Sequence, residues 1–205
     1  DSPYDRFVQG DTAALSPAAT RGMALFMSER LECFHCHGGY SFSDSVDHTR
    51  LLEATVAFHN TGLYNLDDAG AYPADNPGIA GISGDPADMG RFKAPTLRNI
   101  AVTAPYMHDG SIATLEQVIA HYAAGGRTID SGPLAGDGSR SPLKSEFVPG
   151  FILNDEETRD LISFLESLTD ESFLNDPRFS DPFATQSSGE QNAAPQNETA
   201  LAYQK

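Results

Sequence analysis

An all-α fold of three main helices, joined by long irregular loops, is what this sequence predicts. Three stretches repeat apolar residues at helical spacing behind a recognisable N-cap. Alternating apolar and polar residues, the mark of a half-buried strand, are almost missing. Two connecting segments rich in Gly, Pro, Asp and Asn are too long for simple turns, and such loops usually carry function or wrap around something.

Residues 1–15 read as an irregular lead-in. The first helix follows Ser16 as N-cap and Pro17 at the first helical position, and should run to about Leu31. Ala18, Gly22, Leu25 and Phe26 share one face, and the small pair would let another helix approach closely. From Gly38 to Lys93 short helical turns are expected, without strands. The next helix starts at Thr114, which with Gln117 forms a capping box. Leu115, Val118, Ile119 and Tyr122 make its apolar face, His121 should point to solvent, and Gly125-Gly126 stops it. A second loop runs from Arg127 to about Leu153. The last helix spans roughly 155–168, with Asn154 as N-cap, Glu157 reaching back, and Leu161, Phe164, Leu165 and Leu168 as its buried stripe. Residues 16–170 therefore form one domain, and 171–205 an extended acidic and polar tail whose 185–200 stretch is low in complexity. No internal repeat is present.

The formal charge of −16 excludes a basic nucleic-acid footprint. No apolar run is long enough to cross a bilayer, and the N-terminus lacks the basic-then-apolar order of a secretory signal. The chain has 2 cysteines, Cys33 and Cys36. A disulfide closing so small a loop would remove little unfolded-state entropy, so their purpose is chemical.

Cys33-Phe34-His35-Cys36-His37 is a C-x-x-C-H sequence at the end of a helix. Two thiols one turn apart can each bond a vinyl group of one porphyrin, and the following histidine then lies over the iron. A thioredoxin-like pair would need a βαβ setting, and a zinc site would need a second ligand pair; neither is in the sequence. The motif thus predicts a cytochrome c-like domain with one covalent haem c held by Cys33, Cys36 and His37, the loops wrapping a cofactor that completes the core. For the second axial position the residues leave Tyr122, Met107, Met89, His108, His59 or nothing. Tyr122 lies on the core-facing side of its helix, which a plain packing aromatic would also do.

The stretch GRFKAPTLRNIAVTAPYMHDGSIATLEQVIAHYAAGG, with RGMALFMSERLECFHCHGG, FHNTGLYN and LNDEETRDLISFLESLTD, resembles the C-terminal half of the bacterial di-haem cytochrome c peroxidase and MauG family. The resemblance covers about residues 16–170, and SPYDRF, ECFHCHGG and TAPYMHDGS point to the MbnH-like branch, which acts in methanobactin-associated protein oxidation. In the peroxidases a methionine seven residues after the leucine of a T-L motif ligates the electron-transfer haem, whereas MauG-like enzymes carry tyrosine. Counting from Leu115 puts Tyr122 there, so the resemblance implies Tyr122 as the distal ligand, with His37 opposite. A phenolate favours ferric or higher iron where a thioether favours ferrous iron.

The resemblance implies further roles. Thr103 and Pro105 match residues whose backbone carbonyls help bind Ca²⁺ between the family's two domains. His108 lies near the haem in family members and would bond a propionate; Arg98 is a propionate partner on charge grounds. His59 and Asn60 would pack the haem pocket and anchor a loop. The departure is large: one C-x-x-C-H, and no tryptophan where the family sets one between two haems. The chain is then a fragment of a longer enzyme or a single-haem relative, and a start at Asp1, where the family's second half begins, favours the fragment.

Three functions follow from these features. The first is an oxidoreductase half that shares oxidising equivalents between a peroxide-reactive haem and a protein substrate, its partners being a second haem domain and that protein. The others are a plain electron-carrier cytochrome, for which a methionine ligand would speak, and a haem-dependent sensor. Haem attachment of this kind takes place outside the cytoplasm, which implies a periplasmic home.

Overall fold

The computed structural model describes residues 1–46, 57–181 and 183. The low-complexity stretch 185–200 lies outside them, as does part of the first long loop. Seven α-helices and four short strands occur among the described residues.

The lead-in is ordered. Helix α1 (Pro3–Val8) starts from a capping box in which Ser2 and Asp5 satisfy each other's backbone N–H groups. Its Tyr4 N–H bonds the Ser167 carbonyl at 3.1 Å, tying the N-terminus to the far end of the chain. Helix α2 (Pro17–Phe26) begins at the expected Ser16 cap but stops short of Leu31. The Ser28 hydroxyl donates to the Leu25 carbonyl at 2.6 Å, and tight turns then carry the chain to Glu32 in left-handed backbone. That kink starts the single turn α3 (Cys33–Cys36).

The all-α expectation is overturned by two antiparallel strand pairs. β1 (Phe58–His59) pairs with β2 (Phe92–Lys93), and the turn α4 (Ala80–Ser83) lies between them in sequence. After α5 (Leu115–Ala123), β3 (Thr128–Ile129) pairs with β4 (Gly136–Asp137). The long loops offer few apolar side chains, so their backbone N–H and C=O groups find each other across the loop instead. Two-residue strands leave no alternation to read in a sequence. The chain closes with α6 (Asp155–Glu166), whose Asn154–Glu157 capping box is as expected, and α7 (Glu171–Leu174), a turn within the segment expected to be extended.

Helices α2 and α6 cross at backbone contact. A Cβ on Gly22 would sit 1.9 Å from the Asp160 carbonyl oxygen, so only glycine permits the approach. Beside it Phe26, Phe42 and Phe164 pack edge-on with Tyr4, their ring centroids 5.1–6.1 Å apart. Helix α5 leans on this block through Leu115 and Ile119. No helix among the described residues is long and apolar enough to cross a membrane.

Candidate haem site

Cys33 and Cys36 face each other across one turn of α3, both as free thiols and both half-buried. Burial pushes each thiol up to about 12, so neither is a reactive thiolate. His37, at the end of that turn, has its Nδ1 3.1 Å from the Phe42 carbonyl oxygen. Burial lowers its pKa against hydrogen bonds to the Phe42 and Pro95 carbonyls, so the ring is neutral and Nδ1–H donates to Phe42. The segment that supplies this carbonyl is itself fixed, since the Asp44 N–H bonds the Cys36 carbonyl at 2.9 Å.

Tyr122 reaches the same region from α5. Burial raises its phenol above the ordinary tyrosine value, and the nearby Cys36, Cys33 and Tyr72 raise it further. No hydrogen bond among the described residues opposes them. The Tyr122 ring is half-buried, and its hydroxyl has no hydrogen-bond partner among the described residues. The donor set fits haem c: two thiols one turn apart, an imidazole with its second nitrogen pinned, and an oxygen donor from a separate helix.

His59 lies beside Cys36. Its Nε2 is 2.5 Å from Asp44 Oδ2, and ligating atoms of Cys36, Asp44 and His59 fall within 4.8 Å of one another. Together with Phe58, Asn60, Arg91, Leu143 and Phe147 it lines a cleft of about 270 Å³. Asn60 anchors the loop as expected, accepting from Gly62 N–H and Tyr72 O–H and donating to the Met89 carbonyl. Gly90 closes against this group: its φ is +72°, and a Cβ there would lie 2.2 Å from the Tyr72 ring.

The other expected residues are scattered more widely. Arg98 donates from Nη1 to both Asp5 carboxylate oxygens, at 2.7 and 2.8 Å, and from Nε to the Tyr40 carbonyl. His108 stacks on Phe92 with ring centroids 3.6 Å apart. Thr103 and Pro105 lie on an exposed segment, Pro105 joined to Ala104 by a cis peptide. Met89 and Met107 are half-buried against the core.

Two readings of α5 need correction. His121 is not at the surface but 6% exposed, its Nε2 3.0 Å from the Thr61 carbonyl. A wheel of one helix could not show that the 60–63 loop covers its second face. Nor is the capping box complete: Thr114 accepts from Gln117 N–H, but the Gln117 side chain accepts from Ala113 instead. Sequence reasoning missed Asp44, Tyr64, Tyr72 and Asp109, which lie on irregular backbone where no periodicity marks them.

No protein-family model matches the sequence. A cytochrome c peroxidase, IdrP1, of Denitromonas iodatirespirans is 32% identical over 201 residues, covering 90% of this chain and 50% of its own. The methylamine utilization protein MauG of Methylorubrum extorquens is 33% identical over 168 residues, covering 82% and 39%. These relatives are members of the di-haem cytochrome c peroxidase and MauG family. A crystal structure of a MauG-like protein associated with microbial copper homeostasis is 55% identical, with a TM-score of 0.85 over 89% of this chain and 52% of that one. The diheme peroxidase BthA of Burkholderia thailandensis shares the fold, with a TM-score of 0.58 at 21% identity. Haem c is the cofactor of this family of peroxidase-type oxidoreductases. The chain spans about half the length of the curated relatives it matches.

Proposed function

We propose that this chain is the tyrosine-ligated haem half of a MauG-like peroxidase, passing oxidising equivalents between a peroxide-reactive haem and a protein substrate. The observation that carries this is Tyr122: a half-buried phenol on α5 with no hydrogen-bond partner among the described residues, close enough to Cys36 and Cys33 for them to raise its pKa. Cys33 and Cys36 would hold one haem c through thioethers and His37 Nε2 would bind its iron, which supplies one-electron chemistry. His37 is oriented by its bond to Phe42, which keeps the tautomer that leaves Nε2 available. Tyr122 keeps its proton in the protein alone, so acting as a phenolate ligand requires that proton to leave.

The second haem would reside in sequence that the longer relatives carry and this chain does not match. His108, its ring laid against Phe92, is the candidate contact for a propionate, and His59 packs the pocket beside Cys36. Thr103 and Pro105 would offer carbonyls to Ca²⁺ on the exposed segment facing that other half. Arg98 serves this reading by fixing α1, not by meeting a propionate. Covalent haem attachment, which takes place outside the cytoplasm, supports a periplasmic home.

Electron paramagnetic resonance and optical spectra of the ferric haem-loaded protein test the reading. Loss of a low-spin histidine–tyrosine signal in Tyr122→Phe is the expected result. An unchanged spectrum would remove Tyr122 from the iron and put an electron carrier with a methionine ligand in first place.

A further inference from the structure

Beyond the ligating groups, the loops contribute an aromatic pair to the core. Tyr64 and Tyr72 meet edge to face with ring centroids 5.4 Å apart, and both are nearly closed to solvent. Resting on the function proposed above, we propose that Tyr64 is a stopping point for an oxidising equivalent, with Asp109 as its proton acceptor and Tyr72 as the aromatic link toward the Cys33–Cys36 chamber.

The two phenols differ in what they bond. The Tyr64 hydroxyl donates to Asp109 Oδ2 at 2.6 Å, the length of a charge-assisted O–H···O⁻ bond. Desolvation raises the Asp109 carboxyl, but bonds from Tyr64 and Ser111 outweigh it, so Asp109 is an anion ready to take a proton. Tyr72 donates instead to the Asn60 amide oxygen at 2.9 Å and accepts from Leu63 N–H. A phenol that loses an electron becomes a strong acid, and an amide oxygen is too weak a base to keep its proton. The carboxylate is not. Among the described residues Tyr64 is the one tyrosine hydrogen-bonded to a carboxylate; Tyr106, for comparison, donates to the Ile100 carbonyl.

Arg127 sharpens the preference. Its guanidinium lies 4.6 Å from the Tyr64 ring centroid and 3.7 Å from Asp109. A cation there opposes a second positive charge on the ring, so electron and proton leave together. Its own bonds to the Leu63 carbonyl and Ser111 hydroxyl stay intact when Asp109 is neutralised. One electron would pass from Tyr64 by way of Tyr72 toward the Cys33–Cys36 chamber, filling the oxidising equivalent that hydrogen peroxide creates at the partner haem and that this half shares. The phenolic proton moves to Asp109 Oδ2, leaving a neutral tyrosyl radical. An electron from an oxidisable side chain of the substrate protein restores Tyr64, and Asp109 returns the proton. Asp109 and its neighbours His108 and Gly110 are exposed, so the stopping point lies just beneath the surface.

The test is freeze-quench electron paramagnetic resonance of the full-length, haem-loaded enzyme after hydrogen peroxide, with ring-deuterated tyrosine to identify the radical. A tyrosyl signal is expected in the wild type, lost in Tyr64→Phe, strongly reduced in Tyr72→Phe, and weakened in Asp109→Asn. A tyrosyl signal of wild-type size in both Tyr64→Phe and Tyr72→Phe would overturn the relay, as would peroxide-induced haem changes with no tyrosyl signal. If peroxide leaves the wild-type haem spectrum unchanged, the peroxidase reading fails by itself. The same proteins are then oxidised by flash-quench with a ruthenium photosensitiser. A tyrosyl signal that depends on Tyr64 supports the relay; one indifferent to Tyr64 ends it.

Discussion

The α2–α6 block and the loop-built wall around the haem site hold together by different physics. In the first, apolar side chains dominate: Gly22 lets two helices touch, and Phe26, Phe42, Phe164, Leu161 and Leu168 fill the space beside them. In the second, buried polar groups and backbone take that part. Asn60, Asn65 and Tyr72 are nearly inaccessible, and each is hydrogen-bonded to loop backbone. An apolar core tolerates small shifts; a polar network is strong only while every member is satisfied. The block can therefore serve as a rigid support, while the wall sets the geometry of the donors that face the cofactor.

Phe164→Ala is the largest expected perturbation of this contrast. It empties a fully buried aromatic site and should cost about 3–5 kcal/mol in denaturant unfolding of the haem-loaded protein. Its haem spectrum should stay as in wild type, because Phe164 meets Phe42 at its ring, whereas His37 is held by the Phe42 backbone carbonyl. A changed spectrum would break the division between support and wall.

Asn60→Ala attacks the other side. It leaves Gly62 N–H, Tyr72 O–H and the Met89 carbonyl without their partner, for a loss of about 2–3 kcal/mol. Here the haem spectrum should shift as well, since Tyr72 is near enough to Tyr122 to help raise its pKa. Stability lost with an unaltered spectrum would show that the wall does not set the donor geometry.

The smallest of the three effects tests the join between the regions. Desolvation raises the Asp5 carboxyl, but hydrogen bonds from Arg98 and Ser2 outweigh it and hold it at about 2. A depressed carboxyl contributes stability above its unfolded value of 3.8, and loses it as pH falls from there toward 2. The contribution is about 2 kcal/mol, because each tenfold change in proton affinity is worth about 1.4 kcal/mol. Unfolding measured from pH 5 down to pH 2 should show this loss in wild type and not in Asp5→Asn. Parallel curves would mean that Arg98 does not depend on Asp5 to anchor α1.

Much of the support was readable in the sequence because it is local. Ser16-Pro17, Asn154 with Glu157, and the stripe Leu161, Phe164, Leu165 and Leu168 each signal within a turn or two of helix. The wall gave no such signal. Tyr64 and Asp109 are distant in sequence and on irregular backbone, and their bond exists only because both loops close over α5. His121 failed for a related reason: its helix had a second covered face, supplied by a loop with no pattern of its own.

The sequence by itself determined the chemistry of attachment, since the thiols and histidine of C-x-x-C-H lie within one turn and need no distant partner to be placed. It also determined where the three main helices start, because caps are properties of consecutive residues. Only the tertiary structure decided which groups face that turn. Tyr122 beside the cysteines, His59 against Asp44, Arg98 turned to Asp5, and Tyr64 against Asp109 are all long-range contacts. Such contacts depend on how loops close and what they bury, and neither propensity nor period encodes that.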